Sequence, residues 1–165
     1  MNHLLASFAL LALAAVAPAQ TTGVPGLNDL RVNFMGSSTT SCNTIPWLGV
    51  GPLPVVFDVS CPPGTITIFA VSASCLNPPI PLTPTAPVPC GGPLNGTPPT
   101  NLWWSLSFPI LLTIPAASNS AGQALVSLPL PGPLPPMSAA VQAIIPSTCS
   151  PLGVIFSQAH TFSWN

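Results

Sequence analysis

The chain has 165 residues, 48% of them apolar, with a mean hydropathy of +0.64 and only 2% charged side chains. Soluble domains carry about 25% charged residues, whereas this chain has one Arg, two Asp and no Lys or Glu. Without a basic patch there is nothing to neutralise phosphates, which argues against nucleic-acid partners and against polybasic membrane adhesion.

The first element in chain order is a targeting segment. Leu4 to Val16 is an apolar run of h-region length, and Ala17-Pro18-Ala19 supplies an A-x-A cleavage site. Met1-Asn2-His3 lacks the usual positive charge. The run is shorter than the roughly 20 residues that span a bilayer. The sequence therefore predicts a cleaved secretory signal helix at 1–19 and a single domain at 20–165. That domain is expected to be secreted or to stay in the cell envelope, without a transmembrane segment. No Cys sits at the cleavage point to carry a lipid.

The 25 Pro and 12 Gly approach a low-complexity composition, but Leu, Ile, Val and Phe make up about 30% of the chain. Disordered chains usually stay below about 20%, so a folded domain is expected. Each Pro inside a helix costs about 3 kcal/mol, and few stretches beyond Val24 could hold a helix free of Pro. Short β-branched and aromatic runs between turn clusters predict an all-β fold.

Side chains alternate across a strand. Leu30, Val32 and Phe34 share one face, with Arg31 and Asn33 on the other. Val55, Phe57 and Val59 oppose Val56, Asp58 and Ser60. Residues 65–73 form the next strand, and the Cys61-Pro62-Pro63-Gly64 connection predicts a hairpin of 53–60 with 65–73. Segment 76–100 reads as an irregular but ordered Pro-rich loop; the alternative, a polyproline-II recognition segment, is disfavoured by the lack of flanking Arg or Lys. Trp104, Leu106, Phe108 and Ile110 make a stripe in a strand over 102–114, where Pro109 calls for an edge or a bulge. Further strands are predicted at 122–128, 138–145 and 154–164, with a second Pro-rich loop at 129–137. About seven short strands point to an antiparallel two-sheet sandwich of Greek-key-like connectivity with Pro-rich loops.

The disulfide candidates are Cys42, Cys61, Cys75, Cys90 and Cys149, and export makes bridging their default state. An odd number leaves at least one thiol unpaired or joined to another chain. No C-x-x-C spacing occurs and only His160 follows the signal, so neither zinc nor any other cofactor is expected. In the predicted hairpin about 30 Å of strand separates Cys61 from Cys75, far beyond the roughly 7 Å between Cα atoms that a bridge tolerates. Cys75 with Cys90 would close the Pro-rich loop and contribute about 3 kcal/mol, and is the favoured pair.

Catalytic patterns are absent: there is no G-x-S-x-G, Walker loop, H-E-x-x-H or G-x-G-x-x-G. Asp29 and Asp58 could form a glycosidase-like pair, but Asp29 reads as a turn residue beside Arg31 and Asp58 as a solvated strand residue. Cys149 with His160 is the only nucleophile–base pair on offer. Alternation places His160 with Phe156, Gln158, Phe162 and Trp164 on the core face, and Ser157, Ala159, Thr161 and Ser163 outward. A hydrogen-bonded, semi-buried His160 beside Gln158 or Gln142 is the expected outcome, and the protein is not expected to be an enzyme.

The order Gly122-Gln123-Ala124, Leu128-Pro129, Ala140-Val141-Gln142-Ala143 and Phe156-Ser157-Gln158-Ala159 resembles the tail of a family of small exported proteins numerous in planctomycete-type bacterial genomes. Ser41-Cys42, Ile45-Pro46 and Gly51-Pro52-Leu53-Pro54 resemble that family's first half. The resemblance implies an extracellular β-sandwich with no catalytic residues to carry over. The chain departs from the pattern in lacking the Asp residues and the Gly that often flank the Gln-containing strand.

Two functions fit these observations. One is a non-catalytic structural or interaction module of the cell envelope or extracellular matrix, with self-association favoured by the missing charge. The other is a glycan- or other ligand-binding sandwich, in which Trp47 or Trp103 stacks on a sugar ring.

Overall fold

A computed structural model describes residues 29–36, 42–46, 54–82, 103–129, 137–147 and 152–164, and within them every regular element is a strand. In chain order these are β1 (Leu30–Val32), β2 (Asn43–Pro46), β3 (Val55–Ser60), β4 (Ile66–Ser72), β5 (Cys75–Pro81), β6 (Trp103–Leu106), β7 (Ile110–Ala117), β8 (Gln123–Leu128), β9 (Met137–Pro146) and β10 (Val154–Trp164). They form a three-stranded sheet ordered β1-β3-β8, a five-stranded sheet ordered β2-β10-β9-β4-β7, and a two-stranded ribbon of β5 and β6. The protein is all-β with several sheets, an arrangement consistent with a β-sandwich. No helix among the described residues is long and apolar enough to cross a membrane.

The core follows from alternation. Leu30, Val32, Val55, Phe57, Val59 and Ala124 of the small sheet meet Phe69, Val71, Val141, Ala143, Ile145 and Phe162 of the large one in a single buried cluster. At its centre the Phe57 ring lies 5.9 Å from that of Phe69 and 5.5 Å from that of Phe162, the second contact edge-on. A second, smaller cluster of Ala70, Leu106, Ala140 and Ala159 takes in Cys75 and Trp104, so the β5–β6 ribbon covers part of the large sheet's other face.

Four expectations need correction. First, β3 and β4 do not form a hairpin: β3 pairs with β1 and β8, while β4 pairs with β7 and β9. Two strands that each carry a full apolar face bury more by facing each other across a core than by lying edge to edge. Pro62 and Pro63 also have no N–H to offer a hairpin ladder. The 61–65 crossover runs beside the β7–β8 crossover and is tied to it. Cys61 N–H donates to Gly122 O at 2.9 Å, and Thr65 N–H to Ser118 Oγ at 3.0 Å. Gly122 has φ +75, and a Cβ there would stand 2.6 Å from the Cys61 oxygen. No side chain fits at that position.

Second, the sheets are not wholly antiparallel, because β2 runs parallel to β10. Third, the strand expected over 102–114 is two strands, broken at Ser107-Phe108-Pro109, with β6 in the ribbon and β7 at the edge of the large sheet. Fourth, the start of the expected Pro-rich loop is strand β5, whose Pro78, Pro79 and Pro81 lie in the two-stranded ribbon. The remainder of that loop, 83–100, lies outside the described residues, as do the signal segment and most of the second Pro-rich loop.

Phe57 is fully buried between both sheets. Truncating it (Phe57→Ala) is expected to cost about 3–5 kcal/mol, read from the midpoint of urea unfolding; a loss below about 1 kcal/mol would show that the two sheets do not pack through this ring.

Candidate functional site

After Gln20 the sequence contains four acid or base side chains, Asp29, Arg31, Asp58 and His160, and the fold gathers them around strand β1. Their placement starts from a bulge in β10. Phe156 faces Ile144 and Ala159 faces Gln142, so Ser157 and Gln158 together oppose Ala143. The extra residue reverses the facing of everything on its N-terminal side. Gln158 and His160 consequently point into the main core, while Phe156 turns to the other face and meets Trp104 edge-on at 6.0 Å. This corrects the expectation that Phe156 shares a face with His160. Ser157 and Ala159, expected to face outward, are buried as well. The Ser157 hydroxyl donates to the Gln158 carbonyl at 2.7 Å and accepts from Ala143 N–H at 2.8 Å, and Ala159 lies in the cluster beneath the ribbon.

From the bulge, Gln158 reaches across the core to β1. Its Oε1 accepts from Leu30 N–H at 3.3 Å, and its Nε2 donates to Leu30 O at 3.2 Å and to Asp29 Oδ1 at 3.1 Å. His160 Nε2 lies 2.9 Å from the same Leu30 oxygen, and a carbonyl can only accept, so this nitrogen carries the proton. Gly36, at φ +96, brings its backbone against the imidazole edge, where a Cβ would sit 3.1 Å from the ring. Burial disfavours the charged imidazolium and lowers the His160 pKa from 6.5, against the opposing pull of backbone groups of Leu30, Asn43 and Gly36 and the charge of Asp29.

On the opposite face of the small sheet, Arg31 stands directly across from Asp58 and pairs with it. Asp58 is fully buried and also accepts from Gln123 Nε2 at 2.7 Å, which corrects the expectation of a solvated carboxylate. The two aspartates therefore serve different partners, Gln158 for Asp29 and Arg31 with Gln123 for Asp58. Gln142, on the large sheet's ribbon side, accepts from Ser105 N–H at 3.1 Å and donates to Ser157 O at 2.9 Å. The three buried glutamine and histidine side chains thus bind backbone groups, while the buried His160 Nδ1 has no hydrogen-bond partner among the described residues.

Of the sulfur candidates, Cys61 is buried at the crossover, whereas Cys42 and Cys75 are half-buried neighbours, the Cys42 thiol reaching Leu76 O at 3.4 Å. No two of these three sulfurs stand at bonding distance. Cys90, Cys149 and Trp47 lie outside the described residues, and so does the Trp103 side chain; Trp103 itself opens β6 opposite Pro81. The Cys75–Cys90 pair, the Cys149–His160 pair and the stacking roles of Trp47 and Trp103 fall there too. Among the described residues no group of three or more His, Cys, Asp or Glu could hold a metal ion.

No protein-family model, curated protein or solved structure matches the chain.

Two outcomes test these assignments. Folding lowers the His160 pKa, so the unfolded chain binds more protons as the pH falls through 6.5. The imidazole's contribution to stability is therefore complete above that pH and is lost as acid is added. Melting midpoints between pH 8 and 5 should fall for the natural chain and fall less for His160→Gln, whose amide keeps a donor. Arg31→Ala leaves Asp58 buried with Gln123 alone. Because the Arg31 side chain is 35% exposed, the cost is discounted from that of a fully buried pair to about 1–3 kcal/mol, read by urea unfolding.

Proposed function

We propose that the protein is a non-catalytic structural or interaction module, exported to the cell envelope or extracellular matrix. In this reading residues 1–19 are a signal peptide, and the remainder is one domain with a Greek-key-like sandwich fold. The chain would then stand with the small exported proteins of planctomycete-type genomes that its Gln-containing strands resemble. The observation that carries the proposal is the use made of the four acid and base side chains. Asp29, Arg31, Asp58 and His160 each hold strands together.

The surface supports the same reading. Phe34, Ile66, Phe108 and Leu111 are each more than half exposed, and the sequence has no Lys to discourage pairing at sheet edges. Little long-range repulsion separates two copies of such a molecule. Attachment to a surface or assembly fits this chemistry better than free diffusion as a monomer.

Cell fractionation should place the protein in the envelope or matrix fraction. Sedimentation of the oxidised protein should show self-association that changes little with salt, because there are few charges to screen. A monomer at high concentration, recovered only from the soluble fraction, would overturn the proposal.

A further inference from the structure

The β5–β6 ribbon lies on the face of the large sheet that points away from the main core, and two cysteines meet at their junction. Cys42 immediately precedes β2, and its N–H donates to Ala159 O of β10 at 2.8 Å. It holds a left-handed backbone (φ +64), a conformation that non-glycine residues seldom adopt without local compensation. Its Sγ donates to Leu76 O at 3.4 Å, so the thiol is directed at the residue that follows Cys75 in β5. Cys75 packs among the ribbon cluster beside Ala159 and Ala140. Its thiol interacts with the Cys42 and Thr161 side chains.

We propose that Cys42 and Cys75 are a thiol–disulfide pair that closes into a bridge, fastening the ribbon to the large sheet. When Cys75 ionises, the single Cys42 S–H can turn from Leu76 O to the new thiolate, and this contact, aided by Thr161, holds the Cys75 thiol below its ordinary pKa of 9.0 against the opposing effect of burial. With the Cys42 S–H held by the Leu76 carbonyl in the reduced protein, Cys75 is the attacking member. Its thiolate attacks one sulfur of a small-molecule or protein disulfide, forming a mixed disulfide and releasing one thiolate of the oxidant, which takes up a proton. Cys42 then loses its proton and attacks the Cys75 sulfur, expelling the oxidant's second thiolate. Two protein thiols are oxidised, and one oxidant disulfide is reduced to two thiols.

Both cysteines are half-buried, within reach of a small oxidant, while Cys61 is buried. Cys61 also lies beyond the opposite end of β4 from Cys75, outside bridging range. The pair differs from the Cys75–Cys90 bridge favoured by the sequence. A Cys42–Cys75 bridge spans from the edge of one sheet to the ribbon and closes a longer loop, which removes more freedom from the unfolded chain.

An oxidising setting rests on the proposed export, but the pair itself can be tested in the purified full chain wherever the protein resides. The reduced protein is incubated with oxidised glutathione, its remaining thiols are alkylated, and it is digested with pepsin at acid pH for peptide mapping. The expected product is a peptide pair joined through Cys42 and Cys75, with the loss of two hydrogens. In Cys42→Ser, which lacks the resolving thiol, a glutathione adduct should accumulate on Cys75 instead. Alkylation of both Cys42 and Cys75 after oxidation, or a map joining Cys75 to Cys90 or Cys149, would overturn the proposal.

Discussion

Twenty-five prolines must be placed where no ladder hydrogen bond is lost, and much of the architecture follows from that constraint. The described prolines avoid the interiors of the central strands β3, β4, β9 and β10. They occupy the edge strands β2 (Pro46) and β7 (Pro115), the ribbon strand β5 (Pro78, Pro79, Pro81), the last position of β9 (Pro146), the crossover (Pro62, Pro63) and positions just outside strands (Pro54, Pro109, Pro129). The same residues guard the edges, a task that Lys performs in most β proteins. Where proline occupies a connection, as at 62–63, the chain leaves one sheet and enters the other.

Within that frame the two main sheets are joined by neutral polar groups as well as by apolar packing. The bulge in β10 lets Gln158 and His160 reach the Leu30 peptide, so the short strand β1 is held by its ladder to β3 and by side chains from the facing sheet. Amides and a neutral imidazole can do this at a smaller desolvation cost than charges would incur. The chain's single cation is placed instead on the outer side of the small sheet, against the buried carboxylate of Asp58.

The alternation of Val55-Phe57-Val59 was enough to locate β3 and its core face, the strand expected at 138–145 matches β9, which is buried on both faces, and the all-β class could be read from proline spacing. Sheet partners were less accessible. A turn signal such as Cys61-Pro62-Pro63-Gly64 marks a reversal without saying whether it stays within a sheet. The bulge was hidden because Phe156 and Gln158 alternate correctly on paper, and only the pairing of Phe156 with Ile144 and Ala159 with Gln142 reveals the extra residue. Asp58 was misread because a lone carboxylate on a polar strand face is normally solvated, and its cross-strand partner Arg31 lies 27 residues away in sequence. The approach of Cys42 to Cys75 depends on β2 running parallel to β10, which no local pattern encodes.

The pairing of Arg31 with Asp58 also bears on how the folded protein withstands proteolysis. Proteases that cut after basic residues must draw an extended segment into their active site with the basic side chain in a specificity pocket. This sequence offers them one such bond, between Arg31 and Val32. It lies inside β1, hydrogen-bonded to β3, with the guanidinium held by a buried carboxylate and the neighbouring Leu30 peptide held by Gln158 and His160. Cleavage there requires β1 to leave the sheet, so the near absence of Lys and Arg makes the folded chain a poor substrate for this class of enzyme.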